Sequence, residues 1–146
     1  MRALPGDQRG EIGAVVQYLA DRSYKEGRIE ASRDLNHVIA CLKDSADAWN
    51  NHAFLCRETG RFPEALESYY HAQEKEPDSP QLLNDTAVIL HHHLPTPENL
   101  AKARLMYERA IQAADRVLAD SNTPAAARER AETARRDAKS NLADLK

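Results

Sequence analysis

An all-α fold is what the sequence predicts, and three observations predict it. Glycine is scarce, at 5 of 146 residues, and aromatics make up 5% of the chain while Ala and Leu are plentiful, a composition that supports helices and offers strands little. Apolar residues recur every three or four positions instead of alternating. Single glycines and short proline-containing stretches interrupt that recurrence where helices are expected to turn.

The elements follow in chain order. EIGAVVQYLADRSYKEGRIEASRDLNHVIACLKD carries two helical stripes, Val16, Leu19 and Ala20, then Ala31, Leu35 and Val38, separated by Gly27. In residues 46 to 79, Ala46, Trp49, Ala53 and Cys56 lie at helical spacing, Gly60 breaks the helix, and Phe62, Ala65, Leu66, Tyr69 and Ala72 form a second stripe before Pro77. One unit on, Leu83, Ala87 and Leu90 answer Trp49, Ala53 and Cys56, and Leu100, Ala103, Tyr107 and Ala110 answer Phe62, Ala65, Tyr69 and Ala72. Trp49 and Ala65 are 16 steps apart but Leu83 and Ala103 are 20 apart, so this unit has four extra residues. They are expected in a long turn at HHHLPTPEN, where Leu94 ends one helix and Thr96 caps the next, with Pro97 and Glu98 in its first turn. A last helix is expected to open with Thr123 as N-cap and Pro124 in its first turn. Its stripe is Ala127, Ala131, Ala134, Ala138, Leu142 and Leu145.

The 34-residue unit from 46 to 79 resembles a tetratricopeptide repeat (TPR), on Trp49, the small Ala53, Gly60 in the turn, Phe62, Ala65, Tyr69, Ala72 and the closing Pro77. It departs from the family pattern at His52, where Leu is preferred, at Ala53 in place of Gly, and at Cys56 in place of Tyr. The resemblance implies an α-solenoid of about three antiparallel helix pairs within one domain, 1–146. The divisions are a degenerate repeat at 12–45, whose turn is expected to be one residue shorter, a repeat at 46–79, a repeat with a four-residue turn extension at 80–118, and a C-terminal capping helix at 123–146. The cap closes the stack with one apolar and one polar face.

The same resemblance implies a function: a non-catalytic protein–protein interaction module whose first helices line a concave groove for a peptide or protein segment. The groove residues are then Asp47, Asn50, Asn51, Phe54 and Glu58, followed by Gln81, Asn84, Asp85, Val88 and His92. Asn and Gln carry both donor and acceptor and pair with an extended backbone. Phe54 and Val88 supply apolar contact. Asn51 occupies the central Asn place of the clamp that holds acidic chaperone tails, but Val16, Ala20, Gln81 and Asp85 stand where its other polar and basic residues belong, and an Asp there repels a carboxylate. A neutral or basic segment is expected instead. The alternative is a self-associating scaffold or assembly subunit, a homo-oligomer built through the C-terminal helix or the convex face.

Other classes are disfavoured by the residues themselves. A net charge of −3 gives no field that draws the chain to nucleic acid or anionic lipid. In RERAETARRDAK the cations Arg128, Arg130, Arg135, Arg136 and Lys139 alternate with Glu129, Glu132 and Asp137, the pattern of intrahelical ion pairs on a solvated face. No apolar run reaches the ~20 residues of a membrane span and the N-terminus lacks a signal-peptide core, so a cytoplasmic protein, or a domain of a larger one, is expected. Cys41 and Cys56 form no CxxC, and no nucleophile–base pair, phosphate loop or HExxH motif occurs, so neither catalysis nor a cofactor is expected. Within the His91–His93 run successive side chains point about 100° apart, so at most two could share an ion, and the expected role is a solvent-facing or groove-lining one. His52 is expected to be satisfied by a backbone carbonyl, and His37 to be exposed.

Overall fold

The structure, a computed structural model, describes residues 5–145 and contains, among these, seven α-helices and no strand. They are α1 (Gly6–Lys25), α2 (Ile29–Lys43), α3 (Ala46–Glu58), α4 (Phe62–Lys75), α5 (Pro80–Val88), α6 (Pro97–Ala119) and α7 (Ala125–Asp144), with a π-helical turn, Ile89–His93, continuing α5. No helix of the described residues is long and apolar enough to cross a membrane. The chain divides into two compact units, one through Ala72 and one from Gln73, with the boundary inside α4.

In the first unit α1 packs on α2 and α2 on α3. Both helix-to-helix turns within its pairs are closed in the same way. Gly27 at φ 76° and Gly60 at φ 73° take the left-handed conformation just past the helix end. Each glycine N–H bonds three residues back, to Tyr24 O and Arg57 O, while the next N–H bonds five residues back, from Arg28 to Ser23 O and from Arg61 to Cys56 O. This is the Schellman closure, which needs a residue free of a Cβ penalty and satisfies carbonyls the helix leaves orphaned. Ala20 and Ser32 correspond to Ala53 and Ala65, with the same spacing inside both pairs, so the expected shorter turn at Gly27 does not occur.

The buried face of α2 also differs from expectation. Ala31 and Val38 are exposed and Leu35 half-buried, whereas Ser32, Arg33, Asn36, Ile39 and Ala40 are buried. The face is rotated by one residue because its polar groups find partners inside. Ser32 Oγ donates to Ala20 O at 3.0 Å, and Asn36 Nδ2 donates to Ser32 O at 2.9 Å. Arg33, 5% exposed, donates to Thr59 Oγ1 at the end of α3 and to Asp34. Between α3 and α4, the fully buried Ala53, Ala65 and Ala72 leave room for helix backbones to approach, and Trp49 fills the remaining space against His71, ring centroids 4.4 Å apart. Asp44, left-handed at φ 46°, ends α2 and accepts from Trp49 Nε1 at 2.9 Å.

In the second unit α5 packs on α6, and α7 packs on both. Ser79 caps α5 and Thr96 caps α6, the latter accepting from Asn99 N at 3.1 Å with Pro97 in the first turn, as expected. The four extra residues do not lengthen the turn. The connection from His93 to Pro97 is Leu94, Pro95 and Thr96, as short as Thr59, Gly60 and Arg61 between α3 and α4. No glycine is present to close this end, so the helix widens into the π turn, Leu94 N bonding to Ile89 O at 3.0 Å, and α6 begins almost one helical turn earlier relative to Ala103 than α4 does relative to Ala65.

The last helix starts at Ala125 with Pro124 as its N-cap, one position later than expected. Thr123 faces backward instead, its hydroxyl donating to Val117 O at 2.9 Å. Ala131, Ala134, Ala138 and Leu145 are buried and Ala127 and Leu142 half-buried. Arg104 of α6 donates to Leu145 O at 3.1 Å. The alanine stripe is therefore used up against α5 and α6 of the same chain and is not a free seam. The basic residues of α7 work between helices more than along one. Arg128 donates to Leu118 O and Asp120 O at the end of α6, and Arg135 pairs with Asp115 of α6 at 3.0 Å.

Candidate functional site

Each unit presents a cleft beside the first helix of a pair. In the first unit a cleft of about 290 Å³ opens between α1 and α3, with Asn51 and Phe54 on one wall and Gln17, Asp21, Tyr24 and Lys25 on the other, over Ser32 and Asn36. Phe54 stays 36% exposed, with the Arg57 guanidinium 5.2 Å from its ring centroid, and Gln17 Nε2 bonds Asp21 Oδ1 at 2.9 Å. The lining combines two aromatic rings, Phe54 and Tyr24, several amides and a balanced pair of charges. Of the expected residues on α3, Asn51 and Phe54 line it. Asp47 and Glu58 are exposed and Asn50 half-buried outside it, Glu58 lying 3.7 Å from Arg57.

In the second unit a cleft of about 400 Å³ separates α5 from α7. Gln81, Asn84 and Asp85 of α5 face Glu129, Arg130, Thr133, Ala134 and Asp137 of α7 across it. Three carboxylates against one guanidinium give it an acidic balance, which favours a neutral or cationic occupant. Asn84 is 6% exposed and accepts from Asn141 Nδ2 at 3.4 Å, so it serves chiefly to hold α7. Val88, half-buried, and His92, exposed, lie outside this cleft. A second cleft of about 440 Å³ adjoins it at the start of α5, between residues 76–81 and Val117, Ala127, Arg130 and Ala131.

Sequence reasoning missed the walls supplied by α1 and α7. The available signal was spacing: Gln17, Asp21, Tyr24 and Lys25 recur at three and four residues, as do Arg130, Thr133, Ala134 and Asp137. A recurrence of polar residues reads equally as a solvated face until the neighbouring helix is known.

His52 and His91 are engaged inside the fold. His52, 6% exposed, has Nδ1 2.7 Å from Ser68 Oγ and Nε2 3.4 Å from Cys56 Sγ, so its partner is a hydroxyl and not the expected carbonyl. Its ring stacks on that of the exposed His37, centroids 4.7 Å apart. Burial, reinforced by His37, pushes it down to about 4, and burial pushes the Cys56 thiol up to about 11. His91 Nδ1 lies 3.2 Å from the hydroxyl of the fully buried Tyr107, and its ring stacks on His92 at 4.0 Å. Burial, followed by the neighbouring His92, holds His91 below its ordinary value. Among the described residues no three His, Cys, Asp or Glu side chains gather as a metal ion would require.

No protein-family model matches the chain, and no curated protein sequence matches it. Solved structures do match. PcrH, a protein of Pseudomonas aeruginosa, in complex with the chaperone-binding region of PopD, superposes with a TM-score of 0.69 at 17% identity over 99% of this chain and 96% of that one. The type III secretion chaperone SycD of Yersinia enterocolitica, in complex with a peptide of the translocator YopD, gives 0.68 at 17% identity over 99% and 96%. The TPR2B domain of yeast Sti1, in its complex with pHsp70, gives 0.61 at 16% identity over 88% and 96%. The chain has the tetratricopeptide-repeat fold. At these identities the likeness establishes the TPR fold alone, and the chemistry of the clefts is particular to this chain.

Proposed function

We propose that this TPR chain is a non-catalytic interaction module whose first helices hold an extended, neutral or basic peptide segment of a cytoplasmic protein partner. The observation that carries the reading is the pair of clefts beside α3 and α5. One offers Phe54 and amides, the other amides with an acidic balance. Amides pair with a peptide backbone in both directions, and the acidic balance selects against carboxylate tails. PcrH, SycD and the Sti1 domain were each solved with a segment of a protein partner, which supports the same kind of occupant here.

The experiment is a peptide array probed with the full chain and with an Asn51→Ala/Phe54→Ala variant. Neutral and basic segments are expected to bind, with affinity reduced about tenfold by the double substitution, the scale set by losing one aromatic contact and one hydrogen-bonding amide. A preference for acidic segments, or equal binding by the variant, would falsify the reading. The division into three repeats and a cap, 12–45, 46–79, 80–118 and 123–146, belongs to the same proposal. Its support is that each span holds most or all of a helix pair or of the closing helix, with α1 beginning ahead of its span at Gly6 and α6 ending one residue beyond its own at Ala119.

A further inference from the structure

A second surface lies on α1. Large apolar side chains gathered on one exposed helix face mark a surface for a partner. One side of α1 has this character. Ile12, Val15, Tyr18 and Leu19 share one side of the helix and are 39%, 60%, 63% and 42% exposed, so four of the large exposed apolar side chains of the described residues gather there. The helix turns Gly13 and Ala20 toward the first unit, so the stripe is separate from the face that packs on α2.

What covers the stripe is indicated by its charges. Glu11 lies at its N-terminal end and Arg22 at its C-terminal end, both exposed and on the same side as the apolar residues. Arg22 is already directed by Glu26, its Nε 2.8 Å from Glu26 Oε1. The midpoint between Glu11 and Arg22, which falls between Val16 and Gln17, is also the midpoint between Val15 and Tyr18. A two-fold axis there sets Glu11 of each copy opposite Arg22 of the other, Val15 opposite Tyr18, and Ile12 close to Leu19. A parallel arrangement would set like charge on like. The stripe is thus self-complementary in the sense that a two-fold contact requires.

We propose that a second copy of this chain covers α1, the two α1 helices packing antiparallel through Ile12, Val15, Tyr18 and Leu19 with Glu11 and Arg22 exchanged across the axis. The test is sedimentation of the full chain over a wide concentration range, with circular dichroism to verify folding. A dimer that dissociates on dilution is expected, and Val15→Asp/Leu19→Asp is expected to be folded and monomeric. Glu11→Arg alone and Arg22→Glu alone are each expected to weaken the dimer severalfold. An equimolar mixture of these two variants is expected to restore it, since in the mixed dimer both cross-axis contacts join opposite charges. That recovery cannot come from misfolding of either variant. A chain that is monomeric throughout, a dimer that survives Val15→Asp/Leu19→Asp, or a mixture no tighter than its components overturns the proposal, and the first outcome leaves the stripe to a different protein.

Discussion

His52 Nδ1 lies 2.7 Å from Ser68 Oγ, a buried polar tie between α3 and α4 at a place where TPR units usually carry leucine. Both ring nitrogens have a neighbour, and neither is a carboxylate, so the ring is held neutral. With the folded value at about 4 and the unfolded one near 6.5, the unfolded chain takes up a proton in this interval that the folded chain refuses. Stability from the neutral ring is therefore complete above the unfolded value and is lost as the pH falls toward about 4. The total is on the order of 3 kcal/mol. Urea unfolding followed by the fluorescence of Trp49, the single tryptophan, is expected to show this decline between pH 6.5 and 4. The decline is expected to flatten in His52→Leu; parallel curves for the two proteins would mean that other groups set the acid response.

The Schellman turns make a second expectation. A Cβ at Gly27 or Gly60 would meet no atom within 4 Å, so substitution there brings no clash, only the left-handed backbone. Gly60→Ala is expected to cost about 1 kcal/mol and Gly60→Asn less, because Asn tolerates this conformation. Thermal unfolding of the two variants checks the order; an alanine variant as stable as the parent contradicts it.

Arg128 is expected to matter for stability more than for charge. Its two bonds, to Leu118 O and Asp120 O at 3.1 Å each, satisfy carbonyls that α6 leaves open. Arg128→Ala is expected to lower stability by about 1 kcal/mol, and Arg128→Lys by less, since a lysine reaches one carbonyl at a time. Exposed Arg136 makes no such bridge between helices, and Arg136→Ala serves as the control.

The two thiols should separate in reactivity. Cys41 is exposed, whereas Cys56 is buried against His52 with its thiol pushed up to about 11. Iodoacetamide at pH 8 is expected to add one label per folded chain, at Cys41, and a second only in denaturant. Rapid double labelling under native conditions, read by mass, would show that α3 opens.

The middle repeat was legible because its spacing residues are also its packing residues: Trp49, Ala53, Ala65, Tyr69 and Ala72 are all buried, and Gly60 turns the chain where a left-handed residue is needed. The face of α2 was not, because a reading of apolar periodicity selects Ala31, Leu35 and Val38, while the structure buries Ser32, Arg33 and Asn36. The bonds of Ser32 to Ala20 and of Arg33 to Thr59 exist only once the helices have met, and Asn36 bonds back to Ser32 within α2. The candidate site was legible in part for a related reason. Asn51, Phe54, Gln81, Asn84 and Asp85 fall on cleft walls, but which helix supplies the opposite wall is a property of packing and not of any one stripe.

Proteases cut where a chain can be pulled out of its helices, so they read slack and not length. The π turn and the early start of α6 draw four surplus residues into helix on both sides of Leu94, Pro95 and Thr96, leaving the third hairpin no slacker than the second. A brief digestion with a nonspecific protease is therefore expected to spare this hairpin as well as the one at Gly60.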